Sequence, residues 1–350
     1  MGELPATYVE GFHDKEAVLR MPYRVLGKTG LSVSIISLGA SSLGSVFHAT
    51  NEEECIELVK EAVRSGINYI DVAPFYGQTK AETVLGKALK VIPRQAYYLT
   101  TKVCRYGATP EDMFDFSYER AVKSVDESLA RLNVDCIDIL QVHDMEFAPS
   151  LDIVLNESLP AVAAIKAAGK CKFIGITGYP MDNFRNVIEK SKVPIDSILT
   201  YCRYSLNDTS LLGLLDFLVE RGIGIVNASP ISMGLLSNRG PPEWHPATEE
   251  IRVACKAAAE YCSERGIDIA KLAMAFSLAH TTISTTLVST SSIANLRRNL
   301  AAVTAVLTED EKAAMEHVRK EIFDKLSSPH WEQKEVDKYW EQRGGKPQST

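Results

Sequence analysis

Short apolar runs alternate with amphipathic stretches along most of this chain, and that alternation predicts a repeating β/α architecture. The apolar runs are rich in β-branched residues, which is typical of parallel strands buried on both faces. We predict strands at Ile35–Gly39, Tyr69–Val72, Tyr97–Thr101, Ile137–Val142, Phe173–Thr177, Ser197–Thr200, Gly224–Ala228 and Thr286–Val288. Right-handed crossovers between eight such strands favour closure, so the predicted fold class is α/β, a (β/α)8 TIM barrel.

The stretches between the strands have helical periodicity. Glu52–Ser65 places Cys55, Val59 and Ala62 on one face, and Phe116–Leu132 repeats that spacing. Further helices are predicted at Leu159–Ala168, Met181–Lys190, Leu211–Arg221, Glu249–Arg265, Ile269–Ser277, Ser292–Val303 and Thr308–Ile322.

The two ends of the chain lie outside this pattern. Residues 1–20 are polar and are predicted to form a flexible N-terminal extension. Tyr23–Leu26 and Leu31–Ser34 flank a glycine-containing turn and predict a β-hairpin that closes the bottom of the barrel. Residues 21–325 are then a single (β/α)8 domain with extra C-terminal helices, and residues 326–350 are a C-terminal tail. Trp331 and Trp340 favour partial docking of that tail.

Four polar side chains of different types stand at or just beyond the ends of three predicted strands: Asp71, Tyr76, Lys102 and His143. The carboxyl ends of all barrel strands converge on one face, so residues far apart in sequence are expected to share one pocket. A single Asp or Lys at a strand end is more often part of a structural ion pair. The functional interpretation rests on the four required residue types occurring together.

These four types suit proton transfer to and from a carbonyl oxygen. A tyrosine has a pKa of about 10, and a nearby ammonium favours its ionised form. Lys102 can supply that ammonium, and Asp71 can hold it in place. His143 can donate a hydrogen bond that orients a substrate oxygen. None of the four can deliver a hydride, so the reaction requires a nicotinamide cofactor, NAD or NADP.

The runs DVAPFYG, LTTK, LQVHD, GITGYP and SPISMGLL are similar to motifs of the aldo-keto reductases, and the match extends from about Tyr23 to about Asn299. The resemblance implies that Asp71, Tyr76, Lys102 and His143 are a catalytic tetrad. The YCRYSLND run, Tyr201–Asp208, resembles the branch that contains the L-galactose dehydrogenases. That branch oxidises a sugar hemiacetal to a lactone with NAD.

The cofactor is expected to lie against two loops rather than a Rossmann fingerprint, which is absent after the first strand. The first loop follows strand seven and offers backbone N–H groups to a pyrophosphate. The second follows strand eight and begins a helix near Ser292, whose N-terminus favours anions. With the resemblance as guide, the candidate contacts are Gly39, Thr177, Tyr201, Ser229, Ile231, Ser232, Gly234, Leu235, Ser289, Thr290, Ser292, Asn295, Arg298 and Asn299.

This sequence departs from the family pattern at several of these positions. Ser289 and Asn295 stand where many members carry a Lys and an Arg for the 2′-phosphate of NADP, although Arg297 and Arg298 are close enough in sequence to replace them. NAD is therefore slightly favoured. Ala228 replaces the aromatic ring that stacks on the nicotinamide, and Tyr201 or Tyr204 is a candidate substitute. Gly178 lacks the amide side chain that usually follows Thr177.

The substrate half of the pocket is less specific in sequence. Phe47, His48 and Trp244 lie in loops expected at the pocket mouth, and Arg203 is placed either to bind sugar hydroxyls or to pair with Asp144. A sugar, an aliphatic aldehyde or a quinone is compatible with such a pocket.

Two other functions fit the same residues. Lys102 at a strand end could form a Schiff base in a barrel aldolase or lyase. The chain could also be a regulatory subunit that binds a cofactor without significant turnover. Metal-dependent hydrolysis is disfavoured, because the seven histidines are scattered and no ligand cluster is apparent; no metal site is predicted.

The amino-acid composition constrains the binding partners and the compartment of the protein but not its reaction. A net charge of −7 and the absence of a basic stripe argue against a nucleic-acid partner. No stretch reaches the ~20 apolar residues that span a bilayer, so no membrane association is expected. Seven cysteines without a Cys-x-x-Cys pair favour a reducing compartment. We expect a cytoplasmic monomer or weak homo-oligomer acting on a small molecule.

Overall fold

Eight parallel strands close into a barrel in the computed structural model, which describes residues 3–345. The first two and last five residues of the predicted extension and tail lie outside the described residues. The barrel strands are β3 (Ile36–Gly39), β4 (Tyr69–Asp71), β5 (Tyr98–Val103), β6 (Ile137–Val142), β7 (Cys171–Thr177), β8 (Ser197–Tyr201), β9 (Gly224–Ala228) and β10 (Thr285–Ser289). Each pairs with its neighbour in chain order, and β10 pairs with β3. The predicted (β/α)8 fold is confirmed.

The N-terminal hairpin closes the amino end of the barrel. It consists of β1 (Tyr23–Val25) and β2 (Ser32–Ser34), paired in antiparallel register. Leu26 and Val33 are fully buried against inward-facing residues of five barrel strands: Tyr69, Ile139, Leu199, Val226 and Leu287. The backbone N–H of Lys28 donates to the carbonyl of Gly222 at 2.8 Å. The polar strand ends therefore open only toward the opposite, carboxyl-end face.

Helices cover the outside of the barrel. They are α1 (Lys15–Arg20), α2 (Glu52–Arg64), α3 (Lys80–Leu89), α4 (Tyr118–Leu132), α5 (Leu151–Ile153), α6 (Leu159–Ala167), α7 (Met181–Lys190), α8 (Leu212–Arg221), α9 (Glu249–Ser263), α10 (Ile269–Ala279), α11 (Ile293–Ala302), α12 (Glu309–His317) and α13 (Lys334–Gln342). α12 continues as a π-helical turn at Val318–Ile322. None of the helices within residues 3–345 is long and apolar enough to cross a membrane.

α3 was not among the predicted helices. Gly86, which lies within it, allows this helix to pack closely against α4. A Cβ at residue 86 would lie 2.0 Å from the carbonyl oxygen of Arg131 in α4. The glycine therefore allows the backbones of α3 and α4 to approach each other closely at this point. Because glycine weakens an isolated helix, tertiary packing rather than local preference stabilises this segment.

Both chain ends are packed against the barrel over the described residues. The extension predicted to be flexible is instead held by Thr7, a buried residue whose hydroxyl accepts a hydrogen bond from Asn68 Nδ2 at 3.0 Å. Val9 and Phe12 pack on the core, apolar contacts that the polar composition of this segment conceals. The tail docks as expected, with Trp331 and Trp340 both buried. The division of the chain at residues 20 and 325 stays a prediction.

Candidate active site

The four strand-end residues meet at the carboxyl-end face. Asp71 is the last residue of β4, Lys102 lies near the end of β5, and His143 directly follows β6. Tyr76 lies in the turn between β4 and α3. Its ring packs edge-on against that of His143, with the ring centroids 5.9 Å apart at an interplanar angle of 89°.

Lys102 is the centre of this group and is only 1% exposed. Its Nζ donates to Asp71 Oδ1 at 2.5 Å, to the Val72 carbonyl at 2.9 Å and to the Tyr76 hydroxyl at 3.2 Å. Burial opposes the charge of the ammonium, but Asp71 and Tyr76 more than offset that effect, so the pKa of Lys102 is raised. The side chain is a fixed cation beside the phenol.

The pKa of Tyr76 is raised above its ordinary value, chiefly because burial disfavours the phenolate. The Lys102 ammonium acts in the opposite direction, whereas the Asp71 and Asp144 carboxylates add to the rise. Burial therefore outweighs the lowering of the Tyr76 pKa that was expected from Lys102 and that the structure retains. At neutral pH the phenol carries its proton and is ready to donate it.

Gln141 is a member of the site that sequence reasoning missed. It is the penultimate residue of β6, and its Nε2 donates to Asp71 Oδ2 at 3.0 Å. Both carboxylate oxygens of Asp71 are thus occupied, one by Lys102 and the other by Gln141. A polar residue near the carboxyl end of a predicted buried strand was the available signal.

The sequence suggested Arg203 as a partner for Asp144, but in the structure Asp144 pairs with Arg105. Arg203 pairs with Asp208 and Glu332, while Asp144 Oδ2 receives Arg105 NH1 at 2.5 Å. The Asp144 backbone N–H donates to Thr177 Oγ1 at 2.9 Å. Thr177, a predicted cofactor contact, is therefore tied to the loop that carries His143.

A cavity of about 420 Å³ opens at the same carboxyl-end face of the barrel, although no tetrad residue lines it. The predicted site residues that line it come from the loops after β3 and β9, the end of β10 with the loop after it, and α11: Phe47, His48, Ser229, Ile231, Gly234, Ser289, Thr290, Ser292, Asn295 and Asn299. The loop after β3 also links the cavity to the tetrad. Ser42 lines the cavity, and Gly44 approaches Tyr76 so closely that a Cβ there would lie 2.6 Å from the Tyr76 carbonyl oxygen.

The other candidate residues do not line this cavity. Ser232 is buried and hydrogen-bonded to Asn207, and Leu235 is buried in the core. Gly39 pairs with Ser289 in the sheet, and Arg298 contacts Asn295. Trp244 is exposed and stacks on Phe47 with the ring centroids 6.1 Å apart.

Tyr201 has a role that the sequence did not indicate. Its hydroxyl donates to Glu335 of the tail at 3.1 Å, and its ring packs against Tyr179. Tyr179 in turn stacks on Trp331. The tail therefore closes part of the barrel mouth through an aromatic stack. Tyr204, the other candidate for a nicotinamide ring contact, stacks on Phe276 instead.

The cavity has the chemistry that a dinucleotide pyrophosphate requires. The loop after β9 is tightly turned, with positive φ angles at Ser229, Ser232 and Met233, and it brings Ser229, Ile231 and Gly234 to the cavity wall. Ser292 caps α11, whose first-turn N–H groups add a partial positive charge. Arg239, which also lines the cavity, supplies a full positive charge. The volume lies within the ~300–1,000 Å³ of small-molecule sites, so these residues fit a nicotinamide cofactor.

Residues 35–320 match the aldo/keto reductase family. The chain belongs to this family. A curated relative, the L-galactose dehydrogenase of Arabidopsis thaliana, is 48% identical over 290 residues that cover 81% of this chain and 89% of the relative. The D-arabinose 1-dehydrogenase of Saccharomyces cerevisiae is 33% identical over 263 residues, covering 71% and 76%.

Solved aldo-keto reductase structures agree with the fold. The holo form of an aldo-keto reductase from Bacillus halodurans superposes with a TM-score of 0.72 at 30% identity, covering 86% of this chain and 97% of that one. Membership of the aldo/keto reductase family and its dehydrogenase relatives establish an NAD(P)-dependent oxidoreductase that interconverts a carbonyl and an alcohol.

The environment of Lys102 argues against the Schiff-base alternative. A Schiff base requires a free amine with room for a carbonyl carbon. All three protons of the Lys102 ammonium have acceptors within 3.2 Å, and the pKa of the group is raised. The lysine is therefore suited to electrostatic support of Tyr76.

Proposed function

We propose that this aldo-keto reductase oxidises the anomeric hydroxyl of an aldose of the L-galactose type to a lactone, with NAD as the preferred cofactor. The observation that carries the proposal is the 48% identity to an L-galactose dehydrogenase across most of both chains. The tetrad geometry supports it, because the phenol, the ammonium and the imidazole surround one point at the strand ends.

The roles of the four residues follow from their contacts. In sugar oxidation the Tyr76 oxygen accepts the proton of the anomeric hydroxyl, and Lys102, 3.2 Å away, stabilises the phenolate. Asp71 fixes Lys102, and Gln141 fixes Asp71. His143 orients the sugar oxygen from the adjacent strand end. When bound, the oxidised nicotinamide supplies the hydride acceptor that none of these side chains offers.

Oxidation is expected to accelerate with pH. It requires the deprotonated form of Tyr76, and burial raises the pKa of that phenol above its ordinary value, so the reactive fraction is small at neutral pH. Below that pKa, kcat/KM for sugar oxidation rises up to about tenfold per pH unit. Steady-state rates between about pH 6 and pH 9 in buffers of constant ionic strength measure the slope. A flat profile would contradict the role of Tyr76.

The preference for NAD is supported by the charges around the cavity. Arg297 is already committed, because its Nε and NH2 contact the two carboxylate oxygens of Glu61 at 2.6 and 3.0 Å. Arg239 is the one side chain with a permanent positive charge among the described residues that line the cavity. One guanidinium suits the pyrophosphate common to both cofactors, and the described lining holds no second cation for a 2′-phosphate; Arg298 lies outside the lining, in contact with Asn295.

Asn295→Arg is expected to raise the affinity for NADPH about tenfold, because a charge-assisted contact to the 2′-phosphate contributes ~1.5–3 kcal/mol. The affinity for NADH stays nearly unchanged. Titration of cofactor fluorescence quenching gives both dissociation constants. Asn295→Gln is the matched control, since it lengthens the side chain without adding charge. Tighter binding of NADPH than NADH by the unmodified protein would overturn the proposed preference.

A panel of aldoses tests the substrate proposal. NADH formation at 340 nm is followed with L-galactose, D-arabinose, D-galactose and a simple aliphatic alcohol at equal concentrations. The highest kcat/KM is expected for L-galactose. Turnover of the aliphatic alcohol at a comparable rate, with none of the sugars, would refute an aldose as the substrate.

A further inference from the structure

One buried ion pair beside the tetrad has no part in the mechanism described so far. Arg105 and Asp144 follow β5 and β6, with Arg105 NH1 2.5 Å from Asp144 Oδ2. The guanidinium lies 3.7 Å from the centroid of the Phe75 ring, next to Tyr76 in sequence. Asp144 also accepts a hydrogen bond from Thr177 Oγ1 at 3.2 Å. The pair thus connects the loops after β4, β5 and β6 with the carboxyl end of β7.

The same pair lies beside His143. Asp144 Oδ2 is 3.4 Å from His143 Nε2, within ion-pair distance. The other ring nitrogen, Nδ1, is buried and has no hydrogen-bond partner among the described residues. No hydrogen bond from Nδ1–H to a carbonyl or carboxylate oxygen therefore stabilises a charged imidazolium. The charge state of His143 depends on the fixed charges around it.

We propose that Arg105 and Asp144 are a pair of positioning residues that sets the proton affinity of His143 and Tyr76 by opposing electrostatic effects. Asp144 favours the protonated form of both groups, and Arg105 favours the deprotonated form. Neither residue is a proton donor or acceptor in the reaction. The predicted effect of the pair on the reaction through Tyr76 rests on the proposed function of Tyr76 as acid and base, whereas the effect on the proton affinity of His143 is independent of that proposal.

The surrounding charges are consistent with these directions. Burial lowers the pKa of His143 well below its ordinary value; Asp144 counteracts that effect, while Lys102 and Arg105 add to it. The pKa of Asp144 is lowered, because His143 and Arg105 outweigh its burial, so it is a carboxylate. The remaining titratable groups that face this cluster are Asp71, Tyr76, Glu146, Tyr201 and Glu335. Removing Asp144 is therefore expected to lower the pKa of His143, and removing Arg105 is expected to raise it.

Two single variants test the proposal through the pH profile of kcat/KM for sugar oxidation. Asp144→Asn removes a negative charge, so the midpoint is expected to fall by about one pH unit. Arg105→Met removes a positive charge, and the midpoint is expected to rise by a similar amount. The double variant lacks both charges and returns toward the parent profile. General damage to the site would lower rates without moving the midpoint in opposite directions.

Asp138→Asn is the matched control. Asp138 lies at the amino end of the same strand, β6, and forms a comparable pair with Arg94 at 2.6 Å. It is remote from the catalytic face, so its loss is expected to affect stability and leave the midpoint unchanged. If Asp144→Asn fails to fold, Arg105→Met and the double variant still show in which direction the midpoint of the kcat/KM profile moves.

A second measurement is independent of activity. In protein without cofactor, labelled with ¹³C at histidine Cε1, the His143 signal is assigned by its loss in His143→Gln. Its titration midpoint is expected to rise in Arg105→Met and fall in Asp144→Asn. Shifts in the same direction, or no shift, would overturn the proposal. Opposite NMR shifts together with full activity of Tyr76→Phe would retain the pair and reject only the role of Tyr76.

Discussion

Tyr76→Phe is expected to lower kcat for sugar oxidation by about 10²–10⁴-fold, the usual contribution of general acid–base catalysis. The substitution removes one oxygen atom and preserves the ring that packs against Phe75 and His143. The hydroxyl proton of the sugar then has no acceptor at the position next to Lys102. Tyr76 does not line the cofactor cavity, so the dissociation constant for NADH stays within about twofold.

The measurement pairs initial rates of NADH formation with fluorescence titration of the same protein preparation. Tyr97→Phe is the matched control, because this buried tyrosine directly precedes β5 at the amino end of the barrel strands, where Arg94 lies over its ring. It is expected to retain turnover. Wild-type rates in Tyr76→Phe would exclude the phenol as the acid and base.

Lys102→Met is expected both to abolish turnover and to lower the free energy of unfolding by about 3–5 kcal/mol, because it leaves the Asp71 carboxylate buried without its cation. Burial raises the pKa of Asp71, so in the variant the carboxyl can take up a proton instead. A raised pKa in the folded state stabilises the fold at low pH and less so as pH rises. The destabilisation is therefore larger at pH 8 than at pH 5.

The double variant Asp71→Asn/Lys102→Met separates stability from chemistry. It removes both charges from the buried pair, and Gln141 Nε2, 3.0 Å from the second Asp71 oxygen, retains an acceptor in the asparagine amide. Most of the lost stability is expected to return, while turnover stays absent because no ammonium supports Tyr76. Urea unfolding curves at two pH values, read with the kinetics, test both parts. A single Lys102→Met variant as stable as the parent would contradict the buried-pair interpretation.

The sequence predicted the parts of this protein that follow from short-range patterns. Apolar β-branched runs defined all eight barrel strands to within a few residues, and the glycine-containing turn between Tyr23 and Ser34 defined the hairpin. Because parallel strands place their carboxyl ends together, Asp71, Lys102 and His143 could be assigned to one face before any geometry was known. They do lie together: Lys102 contacts Asp71 and Tyr76, and the Tyr76 ring packs against His143.

The features that escaped prediction depend on contacts distant in sequence. Arg105 was not singled out, because its partner Asp144 lies 39 positions away and an arginine after a strand is ordinary. Tyr201 was one of two candidates for a ring contact to the nicotinamide, and the sequence did not indicate that Glu335 of the tail, 134 positions away, is the partner of its hydroxyl. The net direction of the Tyr76 pKa shift also required the structure, because burial outweighs the effect of Lys102.

The most direct test of the account is to follow the hydrogen at C1 of the sugar. L-Galactose deuterated at C1 is incubated with the protein and NAD, and the NADH formed is analysed by mass spectrometry and by its rate of appearance at 340 nm. The account predicts NADH that carries the deuterium, formed more slowly than from unlabelled sugar if hydride transfer limits kcat/KM, and absent in Tyr76→Phe. NADH without deuterium, or none formed from L-galactose at any pH, would contradict an anomeric dehydrogenase.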